Sequence, residues 1–168
     1  MTELTIEETK NHDLENLMHL WNDGDVMKYV GFPNGLNITY EEIERWHQYN
    51  HNASVRKHFS IYEANLGYCG ETFYKIDESN DLATLDIKLI KEARGKGIAM
   101  AGLVNTLDLI FEAGLCGKAY VDPNPENLKA WALYEKLGFV SKPRPAHLEP
   151  FDIYLEISAE DYLKNKAR

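Results

Sequence analysis

At 168 residues the chain has the length of one domain, 1–168, large enough to build a core without disulfide or metal staples. Its 44% hydrophobic and 11% aromatic content is ordinary for a globular protein. The 18 Lys and Arg against 27 Asp and Glu, a net charge of −9, count against nucleic-acid binding; the acidity serves solubility and would also suit a cationic partner.

The start, Met1-Thr2-Glu3-Leu4, is acidic and does not read as a secretory signal, and no stretch reaches transmembrane length. Two cysteines, Cys69 and Cys116, make no disulfide framework. A cytoplasmic setting without membrane attachment is therefore expected. Leu4-Thr5-Ile6-Glu7 alternates and predicts a first strand. Asp13 is placed to N-cap a helix with Leu14, Leu17, Met18 and Trp21 on one face. Asn22-Asp23-Gly24 interrupts that helix, Val26 to Val30 resumes it, and Gly31-Phe32-Pro33-Asn34-Gly35 is a loop. Thr39-Tyr40-Glu41-Glu42 has the form of a capping box, opening a helix with Ile43 and Trp46 inward. His47 and His51 stand four apart on it, a metal-ligand spacing, but no Glu follows His47 and no third ligand accompanies them. They read as a solvated face, and no metal is expected.

From Arg56 to Ile90 the pattern is of strands: His58 to Glu63, Tyr68 to Ile76 and Leu82 to Ile90, separated by the turns Asn65-Leu66-Gly67 and Asp77 to Asp81. In the third run Leu85, Ile87 and Leu89 alternate with Asp86 and Lys88, and the alternation breaks at Leu89-Ile90, as at a β-bulge. A glycine turn follows, Arg94-Gly95-Lys96-Gly97-Ile98-Ala99, and then an apolar-periodic helix from Met100 to Ala113 that buries Leu103, Val104, Leu107, Ile110 and Phe111. Strand, glycine turn, helix is an anion-binding layout: glycines let the backbone approach a ligand, and the first helical N–H groups point at it. Arg94 and Lys96 add positive charge. A nucleotide P-loop is disfavoured, because Gly97 rather than Ser or Thr follows Gly95-Lys96, and the dinucleotide fingerprint fails at Met100.

Gly114 and Gly117 end that helix, and Lys118 to Asp122 reads as a strand that the crossover makes parallel to its predecessor. Pro123 and Pro125 remove two backbone donors, so pairing should stop there. Asn127 caps or precedes a helix with Ala130, Leu133, Tyr134 and Leu137 on one face and Gly138 as its stop. Phe151, Ile153, Leu155 and Ile157 alternate and predict a last strand, pairing with Phe139-Val140.

The arrangement Arg94-x-x-Gly97-x-Ala99 resembles the acetyl-CoA loop of the GNAT acetyltransferase family, [Q/R]-x-x-G-x-[G/A]. Asn127-x-x-Ala130-x-x-Leu133-Tyr134-Glu135-Lys136-Leu137-Gly138-Phe139 resembles that family's second signature. Two motifs in the family's order and spacing make a specific signal. The resemblance implies an α+β fold, a mixed and mostly antiparallel sheet splayed at the acetyl-CoA cleft and flanked by helices. It implies that Arg94, Gly95, Lys96, Gly97, Ile98 and Ala99 hold the pyrophosphate, that the backbone of Leu89 and Ile90 meets pantetheine, and that Tyr134 assists the leaving thiolate. Asn127 would orient pantetheine amides or the loop, or simply cap its helix.

A base is also needed, because an ammonium cannot attack while its lone pair is occupied. Some family members carry a Glu on the strand before the loop; here the candidates are Asp86 and Glu71, each of which also reads as a solvent-face residue, and a water chain would serve as well. Tyr29, Phe32 and Trp46 are acceptor-side candidates by the same resemblance, or core packing. The implied reaction is direct acetyl transfer from acetyl-CoA to a primary amine, a small molecule or a peptide N-terminus, since neither cysteine lies in a nucleophile motif. The segment Trp21 to Tyr29 resembles the RimJ/RimL-type branch, and Asp122-Pro123-Asn124-Pro125-Glu126-Asn127 resembles a segment of aminoglycoside 6′-N-acetyltransferases. A non-catalytic acetyl-CoA-binding module is the non-enzyme alternative, and a homodimer is compatible with each.

Overall fold

Seven strands form one sheet in the computed structural model, which describes residues 3–168 and leaves Met1 and Thr2 of the acidic start outside the described residues. They are β1 (Leu4–Glu8), β2 (Arg56–Glu63), β3 (Gly67–Asp77), β4 (Leu82–Leu89), β5 (Lys118–Val121), β6 (Val140–Ser141) and β7 (Leu155–Ser158), in the order β1-β2-β3-β4-β5-β7-β6. Six helices flank them: α1 (Leu14–Asn22), α2 (Gly24–Met27), α3 (Tyr40–Asn50), α4 (Ile98–Glu112), α5 (Leu128–Leu137) and α6 (Ala159–Lys166). Every neighbouring pair of strands is antiparallel except β4 and β5, which the α4 crossover joins in parallel.

That one parallel pair is short. Leu82, Ala83 and Thr84 face Lys118, Ala119 and Tyr120, and there the pairing stops, while β4 stays paired to β3 as far as Leu89. The reason is in the sequence after Val121: Asp122-Pro123-Asn124-Pro125 cannot continue a ladder. The two strands separate, and the sheet opens in its middle.

Apolar side chains fix the layers on either side. Leu103, Leu107, Ile110 and Phe111 of α4 pack on Tyr74, Ile76, Leu85, Ala119 and Val121, with Tyr134, Phe139 and Tyr162 closing the same core. A second cluster holds Leu14, Leu17, Leu20, Trp21, Met27 and Ile43 from α1, α2 and α3. Each such aliphatic side chain contributes about 2 kcal/mol on burial. A third, smaller cluster of Ile61, Cys69, Leu89, Ala93 and Ile98 sits under the glycine turn and ties it to the sheet. The Thr39 capping box forms as read, with Glu42 N–H donating to Thr39 Oγ1 at 3.2 Å and Thr39 N–H to Glu42 Oε2 at 2.8 Å.

Several local expectations need correction. There is no register shift at Leu89-Ile90; the strand simply ends, with Ile90 N–H still donating to Cys69 O at 2.9 Å before a short 3₁₀ turn at Lys91–Ala93. The shift lies instead between β2 and β3, where Ile61 faces Gly70 but Tyr62 faces Tyr68, leaving Cys69 as the extra residue. Gly70 is required there: a Cβ on it would stand 2.0 Å from Lys88 O. Asp13 takes the N-cap position of α1, but its side chain makes no capping bond there. Its Oδ2 accepts from Lys10 N–H at 2.8 Å, closing a 3₁₀ turn, and its Oδ1 accepts from Tyr62 OH at 2.5 Å. His47 is not on a solvated face but is 9% exposed. Phe151 and Ile153 lie outside the last strand, which begins at Leu155; Arg144 takes the carbonyls of Glu149 and Ile153 at 2.6 and 3.2 Å in place of a ladder.

Candidate active site

Where β4 and β5 part, a cleft of ≈ 920 Å³ opens. Antiparallel pairing alternates along β4. The Ile90–Cys69 bond and the register make Lys88 and Asp86 the residues bonded to β3, so Ile87 and Leu89 turn their N–H and C=O groups toward the gap. Two of these four groups are covered. Ile87 N–H donates to Asp86 Oδ1 at 2.8 Å, and Leu89 O accepts from Arg94 Nε and Nη2 at 3.3 and 3.2 Å. The Ile87 carbonyl and the Leu89 N–H remain on the cleft side, as an added strand or an amide-bearing chain would need.

At one end of the cleft stands the N-terminus of α4. Gly97 is the N-cap, at φ 79°, and supplies no side chain; the first intrahelical bond runs from Ala101 N–H to Gly97 O at 3.1 Å. The N–H groups of Ile98, Ala99 and Met100 therefore end the helix unpaired, at the positive end of a 15-residue dipole. A Cβ placed on Gly95 or Gly97 would meet nothing within 4 Å. The turn is a backbone cradle with open space before it, an arrangement suited to an anion.

Of the residues singled out in the sequence, Asp86, Leu89, Arg94, Gly95, Gly97, Ala99, Asn127 and Tyr134 line the cleft. Ile90, Lys96, Ile98 and Glu71 do not. Ile98 is 2% exposed, with its side chain in the cluster under the turn, so its contribution is its amide. Ile90 N–H is already committed to Cys69. Arg94, at the cleft wall, is engaged by the protein's own groups: besides Leu89 O it binds Asp25 through Nη1 at 2.7 Å. Lys28 and Arg94 together bring the Asp25 carboxyl down to about 2. The arginine thus pins α2 to the end of β4. Asn127 caps α5, accepting from Ala130 N–H at 3.3 Å.

Tyr134, on α5, is 4% exposed and packs edge-on against Phe139 at 5.7 Å. Burial pushes its phenol well above the ordinary value, and Asp86 and Asp122 push the same way. It stays protonated and is a donor, which suits protonation of a departing thiolate.

Glu71 is not a solvent-face residue. It is 1% exposed and accepts from Trp21 Nε1 at 2.6 Å and His58 Nδ1 at 3.0 Å, with Lys88 Nζ at 4.0 Å. Lys88 in turn binds Asp86. Burial opposes the Lys88 ammonium, but Asp86 and Glu71 outweigh it and raise its pKa. A charged chain therefore runs from the buried interior to Asp86 at the cleft wall. Sequence reasoning missed Lys88, and it missed Asp122, which lines the cleft from the end of β5. For Asp122 a signal existed: it is the last residue before the prolines that stop the strand. Tyr29 lines the cleft, Phe32 is 45% exposed away from it, and Trp46 packs on Trp21 at 4.8 Å and His58 at 4.7 Å.

Among the described residues no group of three or more His, Cys, Asp or Glu side chains could hold a metal, and no helix is long and apolar enough to cross a membrane. Residues 3–140 match the family model described as an acetyltransferase (GNAT) domain. A spermidine N(1)-acetyltransferase of Vibrio cholerae is 26% identical over 142 residues, 84% of this chain and 81% of that protein. The crystal structure of a spermidine N-acetyltransferase from Vibrio cholerae in complex with CoA and spermine superposes with a TM-score of 0.82 at 24% identity, over 95% of this chain and 98% of that one. A spermidine N-acetyltransferase chimera from Vibrio cholerae and hSSAT gives 0.76 at 25% identity, over 96% and 98%. With the splayed sheet, the glycine cradle and the buried phenol in place, the chain belongs to the GNAT acetyltransferase family, and its reaction is transfer of an acetyl group from acetyl-CoA to a primary amine.

Proposed function

We propose that the acceptor is a polyamine, a flexible aliphatic chain carrying several ammonium groups. The observation that carries this reading is the pair of carboxylates, Asp86 and Asp122, that line the cleft beside Tyr134. A cation of that kind is drawn to paired carboxylates and needs no aromatic cage. The chain's net charge of −9 and its likeness to acetyltransferases that act on spermidine support the same choice.

In this reading acetyl-CoA supplies an activated acyl group, a thioester whose thiolate leaves. The chain's residues do the rest. The amides of Ile98 and Ala99, with the Gly95 and Gly97 cradle, hold the pyrophosphate; Lys96, exposed on the same turn, adds charge. The Leu89 N–H and Ile87 carbonyl align pantetheine. Tyr134 donates its hydroxyl proton toward the sulfur. A cytoplasmic setting and homodimeric assembly belong to the same proposal; the two buried free thiols, Cys69 and Cys116, suit a reducing compartment.

The test is CoA release from acetyl-CoA with polyamines, aminoglycosides, single amino acids and short peptides bearing free N-termini, with Tyr134→Phe in parallel. Polyamines should drive turnover, and Tyr134→Phe should lower kcat about 10²-fold while acetyl-CoA binding survives. Preference for an aminoglycoside or a peptide would replace the acceptor. Tight acetyl-CoA binding with no CoA release from any amine would leave a binding module instead.

A further inference from the structure

The acetyl-transfer reading leaves one task unassigned, removal of the acceptor's proton. Asp25, Asp86, Asp122 and Glu126 line the cleft, with Glu71 behind it; Asp25 is bound by Lys28 and Arg94, and Asp86 and Asp122 are the two that act on the Tyr134 phenol. Glu71 is closed off. It is 1% exposed, does not line the cleft, and is bonded to Trp21 and His58. Asp86 lines the cleft, but both its oxygens are engaged: Oδ1 accepts from Ile87 N–H at 2.8 Å and Oδ2 from the Lys88 ammonium. Asp86 therefore adds negative charge to the cleft wall but has neither oxygen free of a fixed donor to meet an incoming N–H.

Asp122 differs on each count. Its side chain is 40% exposed, in the cleft, at the point where β5 is released by Pro123. Its Oδ2 accepts from Arg144 Nη1 at 3.0 Å, and among the described residues no other side chain donates to the carboxylate; its own backbone N–H also favours the charged form. Arg144 cannot swing away easily. Its Nε holds Glu149 O at 2.6 Å, its Nη1 also holds Ile153 O at 3.2 Å, and the guanidinium lies over the rings of Tyr120 and Phe151 at 5.9 and 5.7 Å. The residue before a proline is confined to extended backbone, so the carboxylate is fixed from both sides. The charged and titratable groups facing it are Arg144 from the β6–β7 loop, Asp86 of β4 with Lys88 behind it, and Tyr134 of α5. Burial and the neighbouring Asp86 favour the protonated form of Asp122, and Arg144 opposes them; the balance lies upward.

We propose that Asp122 is the base of this enzyme, taking a proton from the acceptor ammonium at Oδ1 while Asp86 holds the cation and Arg144 acts as the positioning residue. This rests on the acetyl-transfer reading. The ammonium gives one N–H proton to the carboxylate, leaving a free amine and a carboxylic acid. The nitrogen lone pair then forms the N–C bond to the acetyl carbonyl as the C–S bond breaks. The sulfur takes the Tyr134 hydroxyl proton, and water returns one to the phenolate. The nitrogen's second proton and the one on Asp122 pass to water, so that one proton is released per amide formed. The partial burial of Asp122 helps the first transfer, because it penalises the carboxylate and an ammonium beside it alike.

The experiment is the pH dependence of kcat/KM for a polyamine with wild type, Asp122→Asn, Asp86→Asn and Arg144→Met, alongside acetyl-CoA affinity and thermal unfolding of each. Asp122→Asn should lose the acidic limb of the profile and fall about 10²–10³-fold in kcat/KM, with acetyl-CoA affinity unchanged. Asp86→Asn should raise KM and keep the limb. Arg144→Met should move the limb to higher pH, since the cation that favours ionised Asp122 is gone. If Asp122→Asn keeps its acidic limb and comes within about threefold of wild type, the assignment is wrong. Should Asp122→Asn not fold, the Arg144→Met profile decides: a shifted limb supports the base, an unmoved one overturns it. Absence of CoA release from the wild type with every amine overturns the transfer reading and the base with it, whereas turnover retained by Asp122→Asn overturns the base alone.

Discussion

Glu71 shows how much of this site is held from behind. Burial opposes its charge, yet His58, Lys88 and Trp21 outweigh that and keep its carboxyl below the ordinary range. A carboxylate whose folded pKa is depressed stabilises the protein above its unfolded value, near 4.5, and loses that contribution as pH falls through the folded value. Urea midpoints measured against pH should therefore decline below about pH 4.5 for the wild type. Glu71→Gln should be less stable at pH 7 by about 3 kcal/mol, because Lys88 and His58 lose a buried partner, and its acid decline should be flatter. An unchanged slope would mean that another carboxylate governs acid unfolding. None of this was legible at residue 71, since its partners come from α1, β2 and β4 and only the fold assembles them.

At the scale of elements, two glycines separate two kinds of constraint. Gly70, at φ 150°, lets β3 pass β4, and a Cβ there would meet Lys88 O at 2.0 Å. Gly97, at φ 79°, has nothing within 4 Å of such a Cβ. Gly70→Ala should therefore cost about 3 kcal/mol in denaturant unfolding. Gly97→Ala should cost about 1 kcal/mol, the left-handed backbone penalty, and weaken acetyl-CoA at least about tenfold through the altered cradle. Equal losses of stability would refute that division. The glycine turn, the Thr39 box and the stop after β5 were readable because each depends on residues a few positions apart. The β2–β3 shift was not, because alternation within β3 carries no information about which residue of β2 it faces. The partner of Arg94 was hidden for a similar reason: its motif position says nothing of Asp25, 69 residues away. Asp122 and Arg144, 22 residues apart, form a pair only once β5 and the β6–β7 loop have folded together.

The whole molecule adds a field. With a net charge of −9 and carboxylates at the cleft, the chain should attract a polycation at a range that salt shortens to about 8 Å near physiological ionic strength. KM for a polyamine should rise steadily as salt is added, while kcat at saturating acceptor stays level and KM for a singly charged amine moves much less; a salt-independent KM would confine recognition to direct contacts. The parting of β4 from β5 reaches beyond catalysis. It leaves a seam through the middle of the sheet, with backbone groups of Ile87 and Leu89 available to any extended chain. On the proposed binding mode acetyl-CoA would close that seam, and at about a hundred times its Kd it would add about 2.7 kcal/mol to stability. The stability of this enzyme is thereby linked to the concentration of its own acyl donor, and its unfolding midpoint should climb as acetyl-CoA is added.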